Sequence, residues 1–383
     1  MKGIYLDHAA SAPLLPEVAE AMLDAMRAGP GNPSSLHAFG RAARARLTDA
    51  RDRMAAALNC KPSELVFTSG GTESDNAAVI GAARALRQKG KTHVVVSAIE
   101  HHAVLHAADA LEREGFAVTR VMPDSTGYID PAAVEEAIRP ETGLVSVMWA
   151  NNEVGTIQPV HRIGELLSSR GIVFHVDAVQ ALGAVPIDLG QTPAQLVSFS
   201  AHKLGGPQGI GALYIAAGTP FEPIIHGGSQ ERKRRAGTEN VAAACGFALA
   251  VELAVERRET RNRRLAALRD RLEALLIARL GPGGAIVNGR IGSRLPHVTN
   301  ISFIGADTET LLMALDLEGI AAASGSACSS GSLERSHVLK AMGLPEERLK
   351  SAVRFSFGPS NTMEEIETAA EKIATIAERL RNK

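Results

Sequence analysis

A lysine and an aspartate stand where two predicted strands end. Lys203 follows the apolar run Leu196–Ser200, and Asp177 directly follows the run 172–176. The carboxyl ends of parallel strands meet at one edge of a sheet, where α/β folds bind their ligands. This pair suits pyridoxal phosphate (PLP), because the amine forms a Schiff base with it and the carboxylate keeps its ring nitrogen protonated. The residues therefore indicate a PLP site, with a buried ion pair or a helix cap at Asp177 as the structural alternative.

A glycine-rich segment, residues 68–74, leads from another predicted strand into a helix. Free backbone N–H groups at a helix N-terminus favour a phosphate, and Gly71 and Thr72 let the backbone come close to it. The segment matches neither the P-loop pattern nor the dinucleotide-binding glycine pattern, which disfavours a nucleotide. It indicates a phosphate-binding turn, or else a helix capped by Ser or Thr after a glycine turn.

His101 begins a further predicted helix, residues 101–114. An imidazole at such a turn can stack on a flat ring and move protons near neutral pH. His102 and His106, four residues apart, also suit a metal ion, but no second cluster at ligand spacing accompanies them. We therefore expect proton transfer at His101 and no metal.

Cys328 lies in a stretch, residues 323–332, that consists almost entirely of Ala, Ser and Gly. This composition favours an accessible tether over a packed core, and a thiol so placed is suited to attack a substrate and carry a product away. Cys245, in an apolar run, and Cys60, after a helix, are typical of structural cysteines. Cys328 is the candidate nucleophile, and an incidental surface cysteine is the alternative.

Composition and charge exclude several classes of protein. The chain has 383 residues, 41 Lys and Arg against 42 Asp and Glu, and a net charge of −1, which disfavours attraction to nucleic acid or an anionic membrane. Aromatic residues make up 4%, too few for a base-stacking surface. Three cysteines without a C-x-x-C pair disfavour a disulfide framework and a structural zinc site. With no signal-like N-terminus and no long apolar stretch, we expect a cytoplasmic protein.

Strands and helices alternate through the first two thirds of the sequence. This pattern predicts an α/β fold with a mainly parallel seven-stranded sheet flanked by helices. Several of the runs are apolar on both faces, as buried parallel strands are. The predicted strands are Leu65–Thr68, His93–Ser97, Ala117–Val121, 144–148, 172–176, Leu196–Ser200 and 212–215.

The pattern changes at about residue 256. Leucines at three- and four-residue steps predict one long amphipathic helix over 256–280, which the glycine-rich residues 281–284 end. Short strands and helices follow, which indicates a smaller α+β domain. We predict a large PLP-binding domain over 16–255, and a small domain from 1–15 and 256–383 that carries the Cys328 loop.

The chain resembles a known family in motifs spread over nearly its whole length. The resemblance is to the cysteine desulfurases of the NifS-like and IscS-like group, in the class V aminotransferase superfamily of PLP fold-type I. The motifs that carry it are YLDHAA at 5–10, GNPSS at 31–35, MWANNE at 148–153, HGGSQER at 226–232, RAGTEN at 235–240 and VRFS at 353–356.

The resemblance implies a role for each candidate residue. Lys203 would hold PLP, Asp177 would pair with its ring nitrogen, Gln180 would bond its phenolic oxygen, and His101 would stack on the ring. The phosphate would be bound by Gly71, Thr72, Ser200 and His202. Asn152, also a cofactor contact, and Arg354 would hold the substrate carboxylate. Thr238 would reach the phosphate in the other subunit of a homodimer.

The implied reaction takes sulfur from L-cysteine, leaving L-alanine and a persulfide on Cys328. The sulfur would pass to an iron–sulfur scaffold or another acceptor protein, with no nucleic acid or membrane involved. Related PLP enzymes, such as aminotransferases, kynureninases and selenocysteine lyases, need no thiol in such a loop. A non-catalytic sulfur carrier, in turn, has no use for Lys203 beside Asp177. Arg335 stands where the resemblance leads us to expect proline.

Overall fold

The computed structural model describes residues 3–289, 292–325 and 335–382. Its strands are β1 Ile4–Tyr5, β2 Leu65–Thr68, β3 His93–Ser97, β4 Ala117–Val121, β5 Thr142–Ser146, β6 Val173–Asp177, β7 Leu196–Ser200, β8 Gly211–Ile215, β9 Ala285–Asn288, β10 Val298–Phe303, β11 Ile320–Ala321 and β12 Ala352–Ser356. Its helices are α1 Pro16–Arg27, α2 Ala38–Leu58, α3 Gly71–Arg87, α4 His102–Arg113, α5 Pro131–Ala137, α6 Val160–Ser168, α7 Gln230–Lys233, α8 Val241–Glu256, α9 Arg258–Leu280, α10 Thr308–Leu317, α11 His337–Ala341, α12 Glu346–Leu349 and α13 Met363–Arg381. Within these ranges, no helix combines the length and the apolar character needed to cross a membrane.

The central sheet has seven strands in the order β2-β8-β7-β6-β5-β3-β4. Neighbours from β4 to β7 pair in parallel. Strand β8 runs antiparallel to both β7 and β2, so β2 has the same direction as the parallel strands. The mainly parallel seven-stranded sheet is therefore confirmed.

Helices cover both faces of this sheet. Successive side chains along a strand point to opposite faces. On β3, Val94 and Val96 pack in a cluster with α3 and α4, whereas Val95 packs in a larger cluster with α2, α6 and α8. Because both faces are buried, Val94, Val95 and Val96 of β3 are consecutive apolar residues with no polar–apolar alternation.

A three-stranded antiparallel sheet, in the order β12-β10-β9, forms a second core with α9, α10 and α13. The predicted leucine periodicity is present, since Leu265, Leu268, Leu272 and Leu276 of α9 are all buried there. The helix is shorter than predicted, because Arg257 leaves helical geometry (φ −90°, ψ 4°) and separates α8 from α9. The proposed domain boundary at residue 255 stays a prediction.

The shared strand direction gathers the candidate residues. The carboxyl ends of β2, β3, β6 and β7 lie along one edge of the sheet, and Gly71, His101, Asp177 and Lys203 are found there. The N-terminal segment crosses the same edge: the Ala12 amide donates to the His202 carbonyl, 2.9 Å away. The candidate site residues and the N-terminal segment therefore lie side by side at this edge.

Candidate active site

A cavity of about 740 Å³ opens at the carboxyl edge of the central sheet. Its volume is in the range of small-molecule and cofactor pockets. Thr238 is exposed and does not line it, and Cys328 lies outside the described residues. Ten of the twelve residues proposed from sequence do line it: Gly71, Thr72, His101, Asn152, Asp177, Gln180, Ser200, His202, Lys203 and Arg354.

The Lys203 amine is held by the backbone of the N-terminal segment. Its Nζ donates to the carbonyl oxygens of Ala9 and Ala10, at 2.7 and 2.8 Å. Gln180 Nε2 donates to the same Ala9 oxygen at 2.9 Å, which fixes its amide beside the lysine. Burial, and then the positive charge of Arg354, lower the pKa of Lys203 to about 8, although nearby carboxylates oppose this. Near neutral pH the amine is far easier to deprotonate than an exposed lysine.

Two buried carboxyl groups line the cavity near this amine. Asp177 Oδ1 accepts a hydrogen bond from the Val179 amide at 2.9 Å, which orients the group. Burial raises the pKa of Asp177, and the Val179 amide and the Lys203 charge act against that rise. Asp75 is 1% exposed, and burial and then the charge of Asp177 raise its pKa further. The sequence analysis missed Asp75, which helical spacing could have found, since it lies one turn after Gly71.

The glycine turn at Gly71 leaves room for a phosphate. A Cβ atom there would lie 2.8 Å from Val179 Cγ2, so only glycine fits without displacing that side chain. The amides of the first turn of α3 have no acceptor inside the helix. Ser200 lies next to Gly71, and His202 lines the same cavity. Burial and then the Lys203 charge lower the pKa of His202 to about 4, so its ring is neutral at pH 7. Amides, a hydroxyl and a neutral imidazole form a donor set that fits a phosphate.

His101 is a neutral imidazole with a defined tautomer. Its Nδ1 accepts a hydrogen bond from the Ala103 amide at 3.1 Å, so it caps α4. Desolvation in the cavity and then the charge of Lys203 lower its pKa to about 4. Because Nδ1 is an acceptor, the ring carries its hydrogen on Nε2. His101 therefore offers a donor, not a free base, to whatever the cavity holds.

His102 and His337 also line the cavity, although the sequence analysis gave neither of them a role in the site. The ring centroids of His102 and His337 are 4.6 Å apart, and His102 also stacks on His106 at 5.2 Å. His337 Nε2 lies 2.9 Å from the Glu100 carbonyl oxygen. His337 belongs to no local motif, so only the fold could bring it here. In the described part of the chain, no group of three or more His, Cys, Asp or Glu side chains is arranged to hold a metal ion.

The Arg354 guanidinium reaches the cavity from β12 and is 4% exposed. Its Nη1 donates to the Asn152 carbonyl at 3.1 Å, and its Nη2 pairs with Asp7 Oδ1 at 2.8 Å. Its Nε is buried and has no partner among the described atoms. The guanidinium is thus held in place with donors to spare, as recognition of a carboxylate requires. The ion pair with Asp7 was not predicted.

A left-handed turn precedes Thr238. Three consecutive residues, Glu231, Arg232 and Lys233, have positive φ angles of 45°, 56° and 65°. Such backbone is strained in residues other than glycine and persists only where its surroundings impose it. Here the buried Glu231 carboxylate makes two hydrogen bonds to Arg51, at 2.6 and 2.7 Å, and accepts a third from the Phe67 amide. The buried ion pair therefore holds the strained turn.

The same segment is tied to the glycine turn at Gly71 of its own chain. Arg235 Nε lies 2.9 Å from Glu73 Oε1, in the first turn of α3. Glu73 in turn accepts a hydrogen bond from the Ser69 amide at 2.7 Å. Thr238, three residues after Arg235, is left exposed to solvent.

Cys60 and Cys245 are poor nucleophiles in this fold. Neither forms a disulfide, and neither lines the cavity. Burial raises the pKa of Cys60 to about 12 and also raises that of Cys245. Because the thiolate is the reactive form, both thiols are unreactive near neutral pH.

Comparison with known proteins gives a family and a set of relatives. The family model for class-V aminotransferases matches residues 4–368. A cysteine desulfurase IscS from Methanosarcina thermophila is 47% identical over 382 residues, covering 100% of this chain and 93% of that protein. A putative cysteine desulfurase IscS 1 from Bacillus subtilis is 45% identical over 383 residues, covering 99% and 100%. Among solved structures, a NifS-like protein matches with a TM-score of 0.92 at 36% identity, covering 98% and 100%. A NifS-like protein from Rickettsia africae matches at 0.88 and 31%, covering 98% and 99%.

Proposed function

The chain belongs to the class-V aminotransferase family and is a PLP-dependent cysteine desulfurase, and from this we propose that the cavity lined by Lys203 is its active site. Such an enzyme removes sulfur from L-cysteine and supplies it for iron–sulfur cluster assembly or related sulfur transfer. The observation that carries the proposal is the convergence of Lys203, Asp177 and the glycine turn at Gly71 on one cavity. These residues match the parts of the cofactor in kind: an amine, a carboxylate and a phosphate cradle.

The side chains of the cavity divide the task of holding PLP. Bound PLP supplies an electron sink for the charge that develops at the substrate Cα. The Lys203 amine would form the covalent link to PLP. The Asp177 carboxylate, which the Val179 amide orients, would pair with the ring nitrogen. The other contacts in the proposal are Gln180 to the phenolic oxygen, His101 and Asn152 to the ring, and Gly71, Thr72, Ser200 and His202 to the phosphate.

Lys203 is the base in our proposal for the first step. Its lowered pKa leaves part of the amine uncharged near pH 8, and an uncharged amine can take the proton from the substrate Cα. From the sequence, His101 was the residue expected to transfer protons. The His101 hydrogen bond from Ala103 favours Lys203, since the ring nitrogen that faces the cavity already carries a hydrogen. His101 Nε2 is then a donor that orients the reacting groups.

Cys328 receives the sulfur. Its thiolate attacks the sulfur of L-cysteine, so that an S–S bond forms and the C–S bond of the substrate breaks. The three-carbon fragment keeps the electron pair of the broken bond and takes up a proton at Cβ. It also regains the Cα proton from Lys203 and leaves as L-alanine, while Cys328 becomes a persulfide. Two observations support this choice. Cys60 and Cys245 do not line the cavity, and burial raises the pKa of both thiols. Ser324 and Gly325, which are close to Cys328 in sequence, do line the cavity.

The persulfide goes to a protein acceptor in this proposal, and an iron–sulfur scaffold protein is the candidate that the family favours. The chemistry needs Cys328 as a free thiol at the start of each cycle. A reducing compartment meets this need, and we propose the cytoplasm.

We expect Arg354→Lys to raise the KM for L-cysteine about 10- to 100-fold, the effect of losing a charged hydrogen bond. Lysine keeps the positive charge beside Asp7 but lacks the planar fork that binds a carboxylate at two points. Steady-state alanine formation measures KM, and the visible absorbance reports retained PLP. The control is Arg348→Lys, because Arg348 is a half-buried arginine that lies outside the cavity. An unchanged KM would remove Arg354 from the substrate site.

The protein acts as a homodimer with shared sites in our proposal, and Thr238 reaches the phosphate in the partner. Thr238→Asp sets a carboxylate against that phosphate, so we expect PLP affinity to fall about tenfold or more. Co-expression with Lys203→Ala tests the sharing. If Thr238 acts across the interface, one site of the mixed dimer combines Lys203 of the Thr238→Asp chain with Thr238 of the Lys203→Ala chain. That site is intact, so the mixed dimer regains activity. A mixed dimer as inactive as its parents would place Thr238 in its own subunit's site.

A further inference from the structure

A second cavity, of about 640 Å³, shares a wall with the active site. The two cavities have Val179, Gln180 and Lys203 in common. Most of the other lining residues come from the N-terminal segment 12–16, the α8–α9 junction with the first turns of α9, and residues 357–360. It therefore lies between the core of the central sheet and the core of the three-stranded sheet. None of the roles assigned above uses it.

The walls of this cavity combine apolar side chains with positive charge. Four basic residues line the cavity: Lys203, Arg257 at the start of α9, and Arg261 and Arg264, each about one helical turn further along. Glu256 is the one acid among the described lining residues. Apolar side chains, among them several leucines and prolines, form much of the remaining wall: Pro13, Leu14, Leu15, Leu182, Leu253 and Pro359.

Two of these guanidinium groups lack a carboxylate partner within the described ranges. Arg257 pairs with Glu17 at 3.2 Å on the surface. Arg261 Nη2, by contrast, donates to the Gly183 carbonyl, and Arg264 Nη2 donates to the Asn361 carbonyl at 2.6 Å. The Nε of Arg261 is buried without any partner in the described chain. Burial lowers the pKa of Arg261 to about 10, yet the group stays charged at physiological pH.

Two imidazole groups add no positive charge to this cavity. His8, which is 5% exposed, and His297 both line it. Burial lowers the pKa of His8 to about 4, and burial and then the charge of Arg261 lower that of His297 to about 3, so both rings are neutral at physiological pH. The positive charge on this side of the cavity therefore comes from the arginines. A buried polar group without a partner, such as Arg261 Nε, is rare and costly unless a ligand or water satisfies it.

We propose that this cavity binds a small organic oxyanion, whose carboxylate or phosphate group lies against Arg261 and Arg264. An anion there neutralises two charges that lack a carboxylate partner among the described residues, and it offers oxygen atoms to the unpartnered Nε–H of Arg261. The leucine and proline walls accommodate a short apolar body attached to the anionic group. Since the cavity lies between the two cores, a bound anion links them beside the wall that holds Lys203.

The test uses purified holoenzyme, because PLP already fills the phosphate turn at Gly71. Inorganic phosphate and butyrate are titrated separately by calorimetry, at an ionic strength kept constant with chloride. We expect saturable binding at one site per chain for at least one of them, and an increase of about 1–3 °C in Tm at tenfold saturation. Binding of phosphate alone would indicate a site for a phosphate group, and binding of butyrate alone would indicate a site for a carboxylate.

Variants of α9 locate the site. Arg264→Gln should weaken binding about tenfold or more, the effect of losing a charged hydrogen bond. The control is Arg263→Gln, because Arg263 is the neighbouring exposed arginine and does not line the cavity. This variant should bind the anion as the wild type does. Arg261→Gln is the second variant, in case the first has little effect because Arg264 lies at the exposed mouth. Absence of saturable binding, wild-type binding in both Arg264→Gln and Arg261→Gln, or loss of the PLP absorbance on adding anion would overturn the proposal.

Discussion

Cys328→Ser should lose sulfur transfer to an acceptor while keeping the yellow colour of bound PLP. The hydroxyl of serine is not ionised at neutral pH and does not take sulfur from a thiol, so no persulfide forms. We expect the rate of sulfide release in the presence of a reducing thiol to fall about 10³-fold or more, the scale seen when a covalent nucleophile is removed. Alanine formation should fall with it, because in our proposal the C–S bond of the substrate breaks only when Cys328 accepts the sulfur.

Matched substitutions at the other cysteines separate this effect from a general loss of thiols. Cys60→Ser and Cys245→Ser should keep activity, because burial raises the pKa of both thiols and neither lines the cavity. Undiminished sulfide release by Cys328→Ser would contradict the assignment. Loss of activity in Cys245→Ser together with normal PLP absorbance would transfer the role to that residue.

Lys203→Ala should lose alanine formation by about 10³-fold or more, since one substitution removes both the covalent link to the cofactor and the base. The amine is held in the cavity by the Ala9 and Ala10 carbonyls, and no other lysine lines the cavity in the described ranges. Absorbance after gel filtration measures retained PLP, and an alanine assay measures turnover. We expect both to fall.

Two further measurements decide between a chemical and a structural role for Lys203. Added methylamine should restore part of the activity if the missing group is a base, and it should do nothing if the variant is merely misfolded. Lys372→Ala, which removes a surface lysine paired with Glu318, should behave as the wild type. Wild-type turnover by Lys203→Ala would refute the proposed site.

Much of the fold follows from local sequence. The strands Leu65–Thr68, His93–Ser97, Ala117–Val121 and Leu196–Ser200 begin and end at the predicted residues. Each is a short β-branched or apolar run between polar turns, so composition and length are enough to place it. The strand predicted at 144–148 begins two residues earlier, at Thr142, where polar residues mask its start.

The candidate site was predictable where its residues follow strands. Lys203, Asp177 and Gly71 could be placed together because parallel strands bring their carboxyl ends to one edge. Asp7 and His337 could not, because they reach the cavity from distant parts of the chain. The Asp7 pair with Arg354 joins residues that lie 347 positions apart. Pairings of this kind depend on the packing of the two cores, which no local pattern encodes.

The turn at Glu231 shows a second limit of local sequence. A run of Gln, Glu, Arg and Lys has good helix propensity, yet three of its residues adopt left-handed backbone. The reason is tertiary: Glu231 is drawn inward to Arg51 and to the Phe67 amide. Propensity describes the isolated segment, and here a buried ion pair decides the conformation.

The central claim is that Lys203 carries PLP in the cavity at the sheet edge, and peptide mapping after borohydride treatment tests it most directly. Borohydride reduces the link between a lysine and PLP to a stable bond, so mass spectrometry of the digested holoenzyme identifies the modified residue. Our account predicts one phosphopyridoxyl group per chain, on the peptide that contains Lys203, and none when L-cysteine has displaced the lysine before reduction. A label on another lysine, or an unlabelled Lys203 in a holoenzyme that turns over cysteine, would contradict it.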